Sequence, residues 1–390
     1  MVPTLATALF LFALLALFFA PIMTWVERKQ SALMQDRIGA NRASILGVRA
    51  IGLFHPLADA IKMFTKEDFL PAGANRLLHT LAPFASAVPA LASFAVIPYG
   101  GTYEAFGTRF SLVVADLDYG VLYVLAIGSL ATYGTVLAGW ASNNNWSLLG
   151  GLRAAAQMIS YEVAMGVSLV GVFMVFGTLK LTDMGVAQQE TFRVLGFLEH
   201  FGWVAPGAAW IEWLRLPLWG IFVQPLAFWI FLFAVLAENK RPPFDTPEGE
   251  AEIVAGYFTE YSGMKFGLYT MGELIEVVVI GGLITALFLG GWSIPWLPDA
   301  VLISALSEGA GPLPGLGPDW GNLAAMAIEV LVFFGKVGLM IFLQMLVRWS
   351  MPRFRYDQVM DLGWKVMLPL SLLNIFLTGF FVLAIGDLVS

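Results

Sequence analysis

Eight stretches of this chain are each long and apolar enough to cross a bilayer: roughly 3–26, 78–98, 119–140, 156–178, 217–237, 269–290, 323–347 and 363–386. A spanning helix needs about 20 mostly apolar residues, and in lipid every backbone N–H and C=O must be satisfied within the segment or by a closed barrel. Runs of this length and number point to one fold class, an all-α polytopic membrane protein, read as a single membrane domain over 1–390. Charged residues make up only 13% of the chain, against about 25% in a soluble domain. The first run is too long for a signal-peptide core. No basic residue precedes it and no small-residue cleavage site follows it, so it is expected to stay as the first span.

The basic residues set an orientation. Arg28, Lys29, Arg37, Arg42, Arg49, Lys62, Lys66 and Arg76 lie in the first connection, Arg153 in the third, Lys240, Arg241 and Lys265 in the fifth, and Arg348, Arg353, Arg355 and Lys365 around the seventh. The even connections hold only Arg109, Lys180, Arg193 and Arg215. Basic loops stay in the cytoplasm. The odd connections are therefore expected to be cytoplasmic, and an even number of spans puts both termini on the other side.

Residues 42–64 carry a one-sided polar stripe, with His55, Asp59, Lys62 and Lys66 at helical spacing. This predicts an amphipathic helix lying in the membrane surface, kinked or restarted at Pro56. The stretch 291–322 is rich in Gly and Pro and lacks Lys and Arg, as in an irregular external connection. No internal or inverted repeat of the transporter kind is visible.

There are no cysteines and only three histidines, His55, His79 and His200. The chain cannot hold an iron–sulfur cluster through thiolates. No metal site, haem or flavin is expected on it, and no nucleic-acid partner.

The acidic loop 238–268 is the most unusual local feature. Glu238, Asp245, Glu248, Glu250, Glu252 and Glu260 stand between two apolar spans. Carboxylates at a membrane boundary cost desolvation energy unless water, cations or protons compensate them, so a change of protonation is expected here. A plainer reading stands beside this for some members. Asp245 and Glu248 have the spacing of a capping box, with Asp245 as N-cap. Glu238 and Arg241 have the spacing of a helical ion pair. Glu252 and Glu260 are expected to share a helical face with Gly256. Glu162 is a carboxylate inside the fourth span, functional by default.

Five stretches together resemble a known family. They are E-R-K at 27–29 with Q-D-R-x-G-x-N-R at 35–42, P-L-A-D-A-I-K-M-F-T-K-E-D at 56–68, R-A-A-A-Q-M-I-S-Y-E at 153–162, E-N-K-R-P-P-F-D-x-x-E-G-E-x-E-I-V-A-G-Y-x-x-E-Y-S-G at 238–263, and P-R-F-R-Y-D-Q-V-M-x-x-G-W-K at 352–365. The set is similar to the H subunit of respiratory complex I, the ND1 family, over nearly the whole chain. It departs from the family pattern at Ala40, where the family has Pro, and at His55, where it often has Gln.

The resemblance implies a membrane subunit of proton-translocating NADH–quinone oxidoreductase in the bacterial cytoplasmic membrane, not catalytic alone. It implies a quinone (ubiquinone or menaquinone) as substrate. Implied partners are peripheral-arm subunits carrying the terminal iron–sulfur cluster, and small and antiporter-like membrane subunits. For the quinone side it implies Glu27, Arg28, Asp59, Lys62 and Arg241; interfacial anchoring is the plainer reading of the first two, and a solvated face that of Asp59 and Lys62. For the proton path it implies Glu162, Glu238, Asp245, Glu248, Glu250, Glu252 and Glu260. Glu273, Glu276, Glu329 and Lys336 are secondary candidates, the last two expected to pair with each other or to meet a neighbouring chain. Arg348, Arg353 and Arg355 are read first as topology determinants. Two alternatives are a homologous subunit of a membrane-bound hydrogenase or ferredoxin-dependent complex, and a stand-alone ion transporter.

Overall fold

The computed structural model of the chain describes residues 19–193, 215–308 and 317–385. In chain order they form α1 (Ala20–Met34), α2 (His55–Thr65), α3 (Arg76–Ser93), the ribbon β1 (Thr102–Ala105) and β2 (Thr108–Ser111), α4 (Gly120–Ala141), α5 (Asn145–Phe176) and α6 (Leu181–Ala187). There follow a second ribbon, β3 (Thr191–Arg193) and β4 (Arg215–Pro217), then α7 (Gly220–Val223), α8 (Pro225–Glu238), α9 (Glu250–Ile253), α10 (Gly263–Phe288), α11 (Asp299–Glu308), α12 (Pro318–Ser350), α13 (Tyr356–Asp361) and α14 (Leu368–Ile385). Among the described residues six helices are long and apolar enough to span a membrane: Arg76–Val96, α4, α5, α10, α12 and Tyr356–Leu383. The apolar α8 is shorter. Most of the expected first span lies outside the described residues, and α1 is its described end. The chain is an all-α integral membrane protein.

Local chemistry sets the helix ends. Asn75 accepts from Leu78 N–H and Asn144 from Trp146 N–H, so α3 and α5 start on side-chain caps. Gly177, at φ +66°, turns the chain left-handed to end α5.

The bundle is built around α10. Of its apolar window 83% is buried, against 22% for Tyr356–Leu383. The first value marks a central helix and the second a helix left to face lipid. Close approach needs small residues in a bilayer, where lipid tails remove the hydrophobic drive to associate. A Cβ on Gly272 would stand 3.2 Å from Ala87 Cα of α3, and one on Gly281 3.3 Å from Val337 Cγ1 of α12.

Two expectations change, and one element is new. The surface helix covers only His55–Thr65, because Pro56 occupies its first turn; upstream, the Ile45–Val48 bridge and left-handed Ile51 break any helix. The 291–322 connection contains the helix α11. The β1–β2 ribbon, with Thr102 opposite Ser111, was not foreseen.

Candidate functional site

The acidic loop does not hang in solvent. Gln157 of α5 is fully buried and staples it: Nε2 donates to the carbonyls of Ala237 and Phe244, each at 2.7 Å, and Oε1 accepts from Thr246 Oγ1 at 2.5 Å. Ser147 Oγ donates to Gly256 O at 3.2 Å. Gly256 has φ +55°, and a Cβ there would collide with Pro247 O, so only glycine fits this fold-back. Replacing Gln157 by Leu leaves buried carbonyls and a hydroxyl without partners. It is expected to cost about 3 kcal/mol, read as faster limited proteolysis of the 239–262 segment in the assembled complex.

Asp245 is not a helix cap. Residues 246–248 form a turn and α9 begins only after Gly249. The Asp245 carboxylate is taken instead by Arg353 Nη2 at 2.5 Å, which ties the loop to the α12–α13 connection. Glu252 and Glu260 do not share a helical face, because the chain breaks at Val254 (φ 66°) and Gly256. Glu252 is half-exposed and paired with Arg153 at 2.6 Å. Glu260 accepts from Asn144 Nδ2 at 2.7 Å. The side chain of Glu250 lies outside the described residues.

The remaining carboxylates turn inward. Half-buried Glu248 and, on α10, Glu273 meet at one phenol: Tyr257 Oη lies 3.5 Å from Glu248 Oε1 and 3.1 Å from Glu273 Oε1. Lys240 Nζ donates to the same hydroxyl at 3.4 Å. Burial, then the facing Glu273 carboxylate, push the Glu248 carboxyl well above the usual range, and Lys240 opposes them. Burial and the two carboxylates push Tyr257 up as well, so it stays a phenol and a donor. One helical turn beyond Glu273, Glu276 shares with Glu238 a cavity of about 50 Å³ that Ser93, Gly128 and apolar side chains also line. Such a space has room for several water molecules. Glu162 of α5 accepts from Ser129 Oγ at 2.6 Å, next to Gly128, which lines that cavity.

A second cluster sits where α1 and α12 meet the segment that follows α8. Glu27 bonds Arg348 of α12 closely and Arg241 Nη1 at 3.5 Å. Arg241 therefore pairs with Glu27, not with Glu238 as its spacing suggested. Arg28 pairs with Asp59 of α2 at 2.7 Å. Lys62 is exposed, apart from this cluster. Asn239, Arg241, Gln344 and Arg348 line a smaller cavity. Asn239 Oδ1, Arg241 Nε and Gln344 Oε1 are buried there without hydrogen-bond partners.

Glu329 and Lys336 do not pair. Glu329 takes the Tyr103 hydroxyl, while Lys336 donates to the carbonyls of Leu289, Gly291 and Ser293 at 2.7, 3.0 and 2.6 Å, just past the end of α10. Both stand at the opposite end of α10 from the acidic loop.

Sequence reasoning missed Arg348 as a partner of Glu27, and Lys240 and Tyr257 as partners of the carboxylates. The signal for the last two was present, since both lie within the acidic stretch. Arg348 had none, because its partner is on the first helix. Among the described residues no group of three His, Asp or Glu could hold a metal ion.

A family model described as NADH dehydrogenase matches residues 6–379. A protein of Geobacter metallireducens, named as an H subunit of NADH-quinone oxidoreductase, is 44% identical over 372 residues, 95% of this chain and 94% of that one. The similarly named protein of Cytophaga hutchinsonii is 41% identical over 365 residues, 94% and 92% of the two chains. The NADH-quinone oxidoreductase H subunit of Thermomicrobium roseum is 44% identical over 357 residues, 92% and 89%.

Proposed function

The chain belongs to the NADH dehydrogenase family, among the H subunits of NADH-quinone oxidoreductase, and from that premise we propose that its two polar clusters divide the labour of quinone binding and proton movement. It is a membrane component of an oxidoreductase complex and works with other complex I subunits, and its membership implies the use of quinone. The Glu27–Arg241–Arg348 cluster, with the Arg28–Asp59 pair beside it, forms the membrane side of the quinone chamber. Lys62 faces the entrance from the surface helix. Quinone reduction takes up protons and passes through negatively charged species, which fixed guanidinium groups stabilise. Electrons arrive from peripheral-arm subunits that hold the terminal iron–sulfur cluster. Small and antiporter-like membrane subunits continue the proton path. The acidic loop faces the cytoplasm of a bacterial cell and both termini face outward.

Protons move along a file running from Glu248 through Tyr257 and Glu273 to Glu276, Glu238 and Glu162. The observation that carries this reading is the cavity shared by Glu238 and Glu276, one helical turn from Glu273. Closely spaced carboxylates titrate as a set, and each gains or loses a proton when a neighbour changes charge. Asp245, Glu252 and Glu260 anchor the loop through Arg353, Arg153 and Asn144, and Glu250 opens α9 in the same loop.

Two measurements test this. A photoreactive quinone analogue bound to the intact complex is expected to label peptides around Glu27–Arg28 and Gln344–Arg353. Labelling confined to α4 or α14 would remove the chamber from this cluster. The second concerns pH. A file that loads a proton at Glu248 turns over only while that carboxyl can be protonated, so the rate falls as pH rises through its titration. Lys240→Met removes the opposing cation, and the alkaline limb of coupled quinone reduction is expected to move up by about one pH unit. A downward shift, or none, would disconnect Glu248 from turnover.

A further inference from the structure

At the end of α10 opposite the acidic loop lies a second buried acidic site, which neither the quinone chamber nor the proton file uses. Glu329 of α12 is fully buried. Its Oε2 accepts from the Tyr103 hydroxyl on β1, and that hydroxyl in turn accepts from Gly101 N–H at 3.0 Å. Its Oε1 is buried with no hydrogen-bond partner. Asp299, at the start of α11, accepts from Trp292 Nε1 at 3.0 Å and from Gln189 Nε2 at 2.5 Å, and is itself half-buried.

The two carboxylates come together beside Gly101. A Cβ on Gly101 would lie 3.2 Å from Trp292 Nε1, 3.5 Å from Asp299 Oδ2 and 3.6 Å from Glu329 Oε2. The two carboxylate oxygens thus lie close to one point and to each other, near enough for a proton to pass between them directly or over one water. A buried carboxylate oxygen without a partner is costly as an ion, and protonation turns that oxygen from a bare charge into a neutral group. Burial and the facing Glu329 push the Tyr103 phenol up, so it remains a donor.

We propose that Glu329, Tyr103 and Asp299 form a proton-exchange site at this end of the bundle. Glu329 holds one proton and exchanges it with the adjoining aqueous phase by way of the half-buried Asp299. The proton leaves Glu329 for the Asp299 carboxylate, and Asp299 then releases a proton to solvent, with the reverse sequence loading the site. Other charges nearby are occupied or outward-facing. The Lys336 ammonium is spent on the three carbonyls beyond α10, Asp319 accepts from Phe106 N–H, and Glu104, Arg109 and Glu308 are exposed. The proposal goes beyond the function given above and does not depend on the acidic loop.

The test is infrared difference spectroscopy of the intact complex in oriented proteoliposomes, with pH stepped in one compartment at a time. The expected result is a protonated-carboxyl stretch that follows pH in the compartment at the α11 end and disappears in Glu329→Gln. Tyr103→Phe removes a donor to the carboxylate, so its midpoint moves up; Asp299→Asn removes a facing negative charge, so the midpoint moves down. Each shift is expected to be roughly tenfold in proton concentration. Asp299→Asn also slows the response without removing the band, since it takes away the carboxylate that relays the proton. An unchanged band in Glu329→Gln, a band that follows pH on the acidic-loop side, or a band set by sodium rather than pH overturns the proposal. If Glu329→Gln fails to assemble, Tyr103→Phe and Asp299→Asn decide the matter, and unmoved midpoints in both overturn it.

Discussion

An intact complex carrying Arg348→Met is expected to reduce quinone about a hundredfold more slowly than the parent, while NADH oxidation by an artificial acceptor changes little. Glu27 lies between Arg348 and Arg241, with its side chain 15% exposed and those of the arginines 26% and 11% exposed. Removing one of the fixed cations that stabilise negative charge developing on the quinone costs about 2.7–4 kcal/mol of transition-state stabilisation. The second arginine, at 3.5 Å, keeps part of the compensation, which argues for the lower end. About 2.7 kcal/mol of lost transition-state stabilisation corresponds to a hundredfold in rate. Arg348→Lys is expected to recover only part, since an ammonium is a point charge and cannot reproduce the guanidinium fork. The KM for a short-chain quinone separates the causes. A raised KM with unchanged kcat places Arg348 in uniform binding of quinone, and a fall in kcat places it in stabilising the reduced species. Equal loss of quinone reduction and artificial-acceptor activity would mean that the complex fails to assemble, and an unchanged rate would mean that the cluster takes no part.

The membrane class was legible from runs of apolar residues, because length and hydrophobicity alone decide what a bilayer accepts. Partners were harder to read. Spacing placed Arg241 next to Glu238, yet Arg241 meets Glu27, because α8 ends before Arg241 and the chain turns. Spacing made Asp245 a cap, yet Arg353, from a connection more than 100 residues away, takes its carboxylate. Helical period put Glu329 and Lys336 on one face, and that is where they lie. What it lacked was the competition: the carbonyls past α10 hold Lys336 and the Tyr103 hydroxyl on an unforeseen ribbon takes Glu329. Local rules of spacing describe an isolated helix. In this bundle the stronger bonds are made between elements far apart in the chain. Glu238 was legible for the opposite reason: a carboxylate ending an apolar helix stays buried wherever that helix packs, whatever its partners.

The double variant Glu238→Gln with Glu276→Gln is expected to abolish proton translocation while the complex still assembles and still transfers electrons to quinone at a reduced rate. Both carboxylates line one cavity of about 50 Å³ enclosed by α3, α4, α5, α8 and α10. A carboxyl can give up a proton and take another, whereas a glutamine of nearly the same shape keeps its hydrogen bonds and cannot. Either single variant leaves one carrier in the same space, so its effect should be partial. Groups that share a site combine non-additively, and the double loss should exceed what the singles predict. The measurement is the ratio of protons moved to NADH oxidised in reconstituted vesicles, with a pH-sensitive dye on one side. Electron transfer without translocation is the expected outcome, because the quinone-side arginines are untouched. An assembled double variant with the parental ratio would mean that protons cross the protein by a route that avoids this cavity, and the file from Glu248 to Glu162 would lose its role.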